Sequence, residues 1–199
     1  MAEPAYTRMQ VDERRAQLLE LGADLFARFS YDELSMARFA KEAGISKALL
    51  YHYFPSKKEL FVATLQRAAG EVLDRATPDP SLPPAEALSA SVAEFLGWIE
   101  ENPVAYEKLM QSSTGVPEVR DLVAEIRQAT AAQILEGLAG GEPAPKVRAA
   151  VSGWLWFMDA AIIDWLDHGD IERLELRDFL LGSLMGSLLA AGWQPAATE

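Results

Sequence analysis

The side chains best suited to bind a charged partner lie in a short basic segment, Ser35–Lys58, where five basic residues face one acidic residue. A helix that starts after Ser46 would carry Lys47 in its first turn. Lys57 would occupy the same position in the next helix, where the helix dipole favours a nearby phosphate. These positions predict a surface that contacts the phosphates of a nucleic acid.

Other kinds of chemistry have little support. The chain has no cysteine and two histidines, which excludes disulfides, thiolate metal sites and cysteine nucleophiles. Asp164, Asp167 and His168 have the i, i+3, i+4 spacing of a possible metal site. A solvated helix end, with the histidine near the C-terminal dipole, is the favoured interpretation. We see no nucleophile–base pair and no glycine-rich phosphate loop. We therefore expect a protein that is not an enzyme and has no cofactor.

Helical periodicity recurs along the chain and strand signals are almost absent, so we predict an all-α fold. Ser35, Ser46 and Ser56 are predicted N-caps, the last with Glu59 in a capping box, and Gly44 is predicted to be left-handed after the second helix. We predict nine helices, at about residues 11–29, 36–43, 47–53, 57–75, 85–101, 103–112, 117–138, 145–168 and 171–191.

Charge divides the chain into two parts. Residues 1–60 hold equal numbers of basic and acidic residues, so the whole net charge of −12 falls on residues 61–199. A loop with four prolines, residues 77–84, lies near the start of the acidic part. We predict one domain over residues 8–60 and a second over residues 61–199, with different partners.

Two short helices joined at Gly44 make a helix-turn-helix candidate. Residues 16–65 resemble the DNA-binding domain of the tetracycline-repressor (TetR) family through the strings FAKEAGISK (39–47), LYHYF (50–54) and SKKEL (56–60). The chain departs from the family pattern at Ser30, Leu34, Ala48 and Leu49. The resemblance implies a transcriptional regulator, commonly a repressor, that binds a palindromic double-stranded DNA operator as a homodimer and is released by a ligand. An activator, or a regulator without a ligand, is the alternative.

The resemblance also assigns roles to individual residues. Ala48 and Leu49 donate no hydrogen bonds, so they can read DNA only through apolar contacts, for example with a thymine methyl group. For Tyr53, packing and DNA contact remain equal alternatives. The expected DNA-binding residues are Ser35, Ser46, Lys47, Ala48, Tyr51, His52, Tyr53 and Lys57.

The last two predicted helices are suited to an interface. The helix at 145–168 is apolar nearly all round, and small residues in the last helix allow a second helix to approach closely. The family resemblance implies that these helices form the dimer interface, and a tight contact inside one chain is the alternative. The expected interface residues are Trp165, Leu180, Gly182, Gly186 and Leu189.

Aromatic residues and methionines cluster in the second part of the chain, where the resemblance implies a cavity for a small apolar or aromatic effector. An ordinary packed core is the alternative. We expect Asp159 to pair with an arginine such as Arg127 rather than with a polar ligand group. The expected lining residues are Phe95, Trp98, Tyr106, Met110, Trp154, Phe157 and Met158.

The sequence favours a cytoplasmic protein. Its N-terminal ten residues are polar and lack an apolar signal segment. The longest loosely apolar stretch, residues 180–193, is shorter than the roughly 18–20 residues that a membrane-spanning helix needs. We therefore expect no membrane partner.

Overall fold

The computed structural model describes residues 5–138 and 142–194, with side chains from Val11 onward. These residues form nine helices and no strand, which confirms the predicted all-α fold. The helices are α1 (Ala5–Arg28), α2 (Met36–Glu42), α3 (Lys47–Tyr53), α4 (Lys57–Arg75), α5 (Pro84–Glu101), α6 (Pro103–Gly115), α7 (Pro117–Gly137), α8 (Pro145–His168) and α9 (Arg173–Ala190). The largest difference from prediction is the start of α1, which lies six residues earlier than expected. The sequence before residue 11 has no apolar stripe, so its pattern did not predict a helix there.

The predicted serine N-caps are confirmed. The Oγ atom of each serine accepts a hydrogen bond from the backbone N–H three residues later, which satisfies one of the free donors of the helix. The three bonds run from Arg38 to Ser35 at 3.2 Å, from Leu49 to Ser46 at 3.1 Å and from Glu59 to Ser56 at 3.1 Å.

Gly44 ends α2 in the left-handed conformation, with φ of +64°. Its N–H donates to the carbonyl of Lys41 at 3.2 Å, and the N–H of Ile45 donates to the carbonyl of Ala40 at 3.0 Å. This pair of bonds is a Schellman motif, which satisfies the last carbonyls of α2. The tight turn sets the direction in which α3 leaves α2.

An N-terminal core holds α1 to α4 together. Phe39, Leu50, Phe54 and Leu60 are almost completely buried in it. α6 and α7 also contribute to this core, through Leu109, Val119 and Val123. The N-terminal helices therefore pack directly on the helices that follow, and the predicted boundary between residues 60 and 61 falls inside α4.

The second core is formed mainly by α5, α8 and α9. Leu96, Ile99, Val151 and Ile162 are fully buried in it. The indole N–H of Trp154 on α8 donates to the carbonyl of Leu180 on α9 at 2.8 Å and to Ser183 Oγ at 3.2 Å. These bonds join the two last helices inside one chain.

One described helix, α8, is long and apolar enough to cross a membrane by length and composition, with a mean hydropathy of 1.2 over an 18-residue window. Asp159 and Asp164 lie within the apolar part of α8, whereas residues 180–193, the longest apolar stretch expected from the sequence, contain no charged residue. The core helix of a soluble protein meets the same criterion, so a single such helix is weak evidence for a membrane.

Candidate nucleic-acid interface

One side of α3 is exposed to solvent and the other side packs against the N-terminal core. Leu50 is fully buried in the N-terminal core and fixes the helix against α2. The predicted contact residues Lys47, Ala48, Tyr51 and His52 are all exposed. The short helix therefore offers a mixed polar and apolar surface, of the size that enters the major groove in helix-turn-helix proteins.

Two residues of this exposed surface are joined by a contact of their own. The Lys47 ammonium lies 5.6 Å from the centroid of the Tyr51 ring, at the far end of the range for a cation–π contact. Such a contact holds the two side chains near one another while leaving the positive charge available. Lys47 and Tyr51 are thus suited to contact the same stretch of phosphate backbone.

Lys57 is held in place by a residue that the sequence analysis missed. Its Nζ donates to the backbone carbonyl of Tyr31 at 2.8 Å and lies 4.2 Å from the centroid of the Tyr31 ring. Among the described residues no carboxylate forms an ion pair with Lys57, so its charge is not neutralised. The next residue, Lys58, differs because its Nζ lies 2.7 Å from Glu118 Oε1 on α7.

The remaining predicted contact residues have visible structural roles. Ser35 and Ser46 are exposed helix caps. Tyr53 is half-buried, packs against the N-terminal core and lies edge-on to His52 with 5.7 Å between ring centroids. Packing therefore accounts for Tyr53 without DNA, whereas His52 is exposed and free to reach a partner.

Two departures from the family pattern have local explanations. The backbone N–H and the hydroxyl of Ser30 both donate to Glu33 Oε2, at 2.9 and 2.7 Å, and these bonds lower the pKa of Glu33. They close the turn between α1 and α2. Leu34 is almost completely buried, so its side chain contributes to the core and not to a phosphate contact.

A second exposed surface lies on α8 and α9, and we call it the α8–α9 face. The side chains of Trp156 and Phe179 are 64% and 56% exposed, and Met185 and Leu189 are exposed beside them. Phe157 packs edge-on against Phe179, with ring centroids 5.6 Å apart. Several large apolar side chains exposed on two neighbouring helices are typical of a protein interface.

Glycines give this face room for a second helix. A Cβ atom placed on Gly153, Gly182 or Gly186 would meet no atom within 4 Å. The alternative that Gly182 and Gly186 allow a tight contact inside one chain is therefore excluded. Their small size leaves space only toward solvent.

Comparison with known proteins decides the family. Residues 18–64 match the family described as bacterial regulatory proteins, tetR family, and residues 84–187 match the tetracyclin repressor-like C-terminal domain. The chain belongs to the TetR family. This confirms the resemblance carried by the α2–α4 strings and identifies a DNA-binding transcriptional regulator, not an enzyme.

Individual relatives agree with this assignment. A TetR-family regulator structure from Streptomyces coelicolor is 33% identical with a TM-score of 0.81, and the match covers 91% of this chain and 82% of that one. The transcriptional activator FasR of Mycolicibacterium smegmatis is 33% identical over 53% of this chain and 49% of its own. The transcriptional repressor KstR of Rhodococcus jostii is 26% identical over 50% of this chain and 47% of its own. The chain thus spans about half the length of these two curated relatives.

The predicted dimer residues of this TetR-family chain divide into two groups. Gly182, Gly186 and Leu189 are exposed on the α8–α9 face. Trp165 and Leu180 are buried in the second core, and the Trp165 indole N–H donates to the carbonyl of Ile171 at 2.8 Å. Trp165 and Leu180 therefore support the face from inside, and their prediction as direct contacts needs correction. The periodicity of α8, which is almost wholly apolar, does not indicate which side of that helix is buried, which is why Trp156 was missed.

The predicted ligand residues also separate by burial. Trp98, Tyr106 and Trp154 are buried, whereas Phe95, Met110 and Met158 are half-buried around the second core. Phe157 lies on the α8–α9 face. The hydrogen bonds of Trp154 to α9 and the position of Phe157 argue against both as lining residues.

The prediction for Asp159 is confirmed. Arg127 on α7 donates to Asp159 Oδ2 through Nε at 2.9 Å and through Nη2 at 2.6 Å. The hydroxyl of Tyr106 donates to Asp159 Oδ1 at 2.9 Å, so both carboxylate oxygens have partners. Burial, and then the Asp159 charge, raise the pKa of Tyr106 well above its ordinary value. Arg127 also stacks on the exposed Trp156 ring at 3.9 Å.

Two open clefts mark the surface of the described residues. One, of about 260 Å³, lies between α4 and the start of α7 and is lined by residues that include Arg15, Tyr53 and Glu118. The other, of about 460 Å³, has Trp98 among mainly charged residues. Among the predicted lining residues, Trp98 alone borders either of these two clefts.

The metal alternative receives no support in the described part of the chain, where no group of three metal-binding side chains could hold an ion. Instead, His168 Nδ1 lies 2.9 Å from the carbonyl oxygen of Asp164. That bond and then the Asp164 charge raise the pKa of His168. The histidine thus belongs to the end of α8, as the favoured interpretation held.

Proposed function

We propose that this protein is a homodimeric transcriptional repressor that binds a palindromic operator with two copies of α3 and is released from DNA by a small apolar or aromatic ligand. The observation that carries the proposal is the presence, in one chain, of an exposed α3 surface and a separate exposed apolar α8–α9 face. The first suits DNA and the second suits another copy of the chain.

The chemistry of the α8–α9 face favours a second copy as its partner. Full burial of one large apolar side chain contributes about 1.5–3 kcal/mol, and Trp156, Phe179 and Leu189 each expose more than half of their surface. Gly182 and Gly186 allow the backbones of two α9 helices to approach closely. A twofold axis through this face brings identical surfaces together, as in most soluble homodimers.

Dimerisation explains why the operator is expected to be palindromic. One α3 helix has seven residues and can read a single half-site. Two copies related by a twofold axis read an inverted repeat, with half-sites about 34–36 Å apart or a multiple of this distance. The acidic second part of the chain is largely screened from the DNA at a Debye length of about 8 Å.

The ligand is proposed to enter next to Tyr106. Phe95 lies edge-on to the Tyr106 ring at 6.0 Å, and Met110 and Met158 are half-buried nearby. Methionine side chains adapt readily to an apolar guest, and a mainly apolar lining with few polar groups is typical of small-molecule sites. To release DNA, the ligand must bind the DNA-free conformation more tightly than the DNA-bound one.

The direction of regulation is part of the proposal, because one similar protein is named an activator and another a repressor. A reporter gene placed behind the DNA that flanks this protein's own gene tests the direction. We expect expression of the protein to lower reporter output. A rise in output with intact binding would establish the activator alternative.

The dimer is tested by Gly186→Leu. Because the monomer has open space at Gly186, the larger side chain should leave the fold intact while blocking the α8–α9 face. We expect sedimentation as a monomer and loss of operator binding in a gel-shift assay. Gly115→Leu is the control, since Gly115 is exposed at the end of α6 away from this face. A Gly186→Leu protein that still sediments as a dimer would place the interface elsewhere.

A further inference from the structure

We propose that Leu49, together with Ala48, reads the methyl groups of thymines in the operator and so determines part of its sequence. The inference rests on the proposed function, in which α3 enters the major groove of operator DNA. The recognised bases would be thymines, and the two residues that read them have no polar side-chain atom.

The position of Leu49 favours a contact outside the protein core. Its side chain is 40% exposed, although the neighbouring Leu50 is fully buried and already anchors α3. Leu49 thus adds little to the N-terminal core. A single exposed leucine is ordinary on a protein surface, but this one follows an exposed alanine on the helix proposed to enter the groove.

Position 49 has no free hydrogen-bond donor. The backbone N–H of Leu49 donates to Ser46 Oγ at 3.1 Å, which commits it to the helix cap. The side chain has no polar atom. At a base edge, Leu49 can therefore recognise an apolar group only, and the C5-methyl of thymine is the apolar group that the major groove presents.

The exposed surface of α3 has a polar part and an apolar part. Lys47, Tyr51 and His52 supply charge and hydrogen bonds, and they are suited to phosphates or polar base edges. Ala48 and Leu49 form an apolar patch beside them. Such a patch distinguishes a T·A pair from a C·G pair, because cytosine lacks the methyl group.

The experiment replaces the thymines of the operator, one position per half-site at a time, with 2′-deoxyuridine. This exchange removes the methyl group and leaves every hydrogen-bonding atom in place. Covering one methyl group corresponds to a change of about fourfold in affinity. We expect one or two positions in each half-site where deoxyuridine weakens the wild-type protein by about this factor, measured by fluorescence anisotropy.

The same operators are then measured with the Leu49→Ala variant. We expect it to weaken binding to the thymine operator and to respond less than wild type to deoxyuridine at one of the sensitive positions. Leu73→Ala is the matched control, because Leu73 is equally exposed but lies on α4 away from the α3 surface. It should bind as wild type does, with the same response to deoxyuridine.

Three results would overturn the inference. Wild-type protein that binds thymine and deoxyuridine operators equally reads no methyl group. A Leu49→Ala protein that loses affinity equally on both operators has lost a contact with the DNA backbone instead. If wild-type protein binds none of the DNA flanking its gene or selected from a random pool, the proposed function fails and the inference falls with it.

Discussion

Replacing Arg127 with methionine tests whether the polar cluster of α6, α7 and α8 supports the fold or serves a ligand. Methionine keeps much of the length of the side chain and removes its charge. The Asp159 carboxylate would then lose two charge-assisted hydrogen bonds and keep the one from Tyr106. If Asp159 were a ligand contact without a structural partner, the substitution would leave the free energy of unfolding almost unchanged.

The expected loss follows from the geometry. Removing one partner of a fully buried ion pair costs about 3–5 kcal/mol. The side chains of Arg127 and Asp159 are 20% and 16% exposed, so water partly compensates and we expect about 2–3 kcal/mol. Tyr106→Phe removes one hydrogen bond to a charged group, and we expect it to cost about 1.5 kcal/mol.

Urea unfolding at one fixed protein concentration measures these values, since dimer formation would otherwise shift the apparent stability. The double variant Arg127→Met/Asp159→Leu leaves no unpaired charge and should be less destabilised than Arg127→Met alone. A loss below about 0.5 kcal/mol for Arg127→Met, or losses that simply add in the double variant, would refute the argument.

Two further predictions use matched pairs of variants. Gly22→Ala should lower the free energy of unfolding by about 1–2 kcal/mol, because the new Cβ would lie 2.6 Å from the buried Thr64 Oγ1. Gly70→Ala should raise the free energy of unfolding by about 1 kcal/mol, because a Cβ atom at Gly70 would meet no atom within 4 Å and alanine favours the helix. Equal effects of the two substitutions on urea unfolding would contradict this prediction. Lys57→Ala should reduce the slope of log affinity against log salt concentration by about one unit per half-site. Lys58→Ala should leave the slope unchanged, because the Lys58 charge is paired with Glu118. An unchanged slope for Lys57→Ala would show that Lys57 does not contact DNA.

Much of the fold was predictable because its signals are local. Ser35, Ser46 and Ser56 act on the backbone three residues away, and Gly44 closes a turn that spans only a few positions. Pro84, which starts α5, fits the first turn of a helix because its missing N–H would have no partner there. Such signals require no knowledge of what the helix packs against.

The candidate sites were less predictable because they depend on which side of a helix faces solvent. Trp154 and Trp156 are two positions apart on α8, yet they are 3% and 64% exposed. A helix that is apolar nearly all round has no polar side to indicate its orientation. The contact between Lys57 and Tyr31 joins residues far apart in the chain, and no periodic pattern points to such a pair.

The two cores show where an effector could influence DNA binding. Met110 on α6 packs against both cores, and Tyr106, on the preceding turn, is tied to α8 through Asp159. A ligand that displaces the Tyr106 ring must therefore move α6 or break its bond to α8. Because Leu109 on the same helix lies in the N-terminal core, a shift of α6 would reach α1 and α4 directly. Because Leu50 of α3 lies in the same N-terminal core as α1 and α4, coupling between a ligand and α3 would pass through that core.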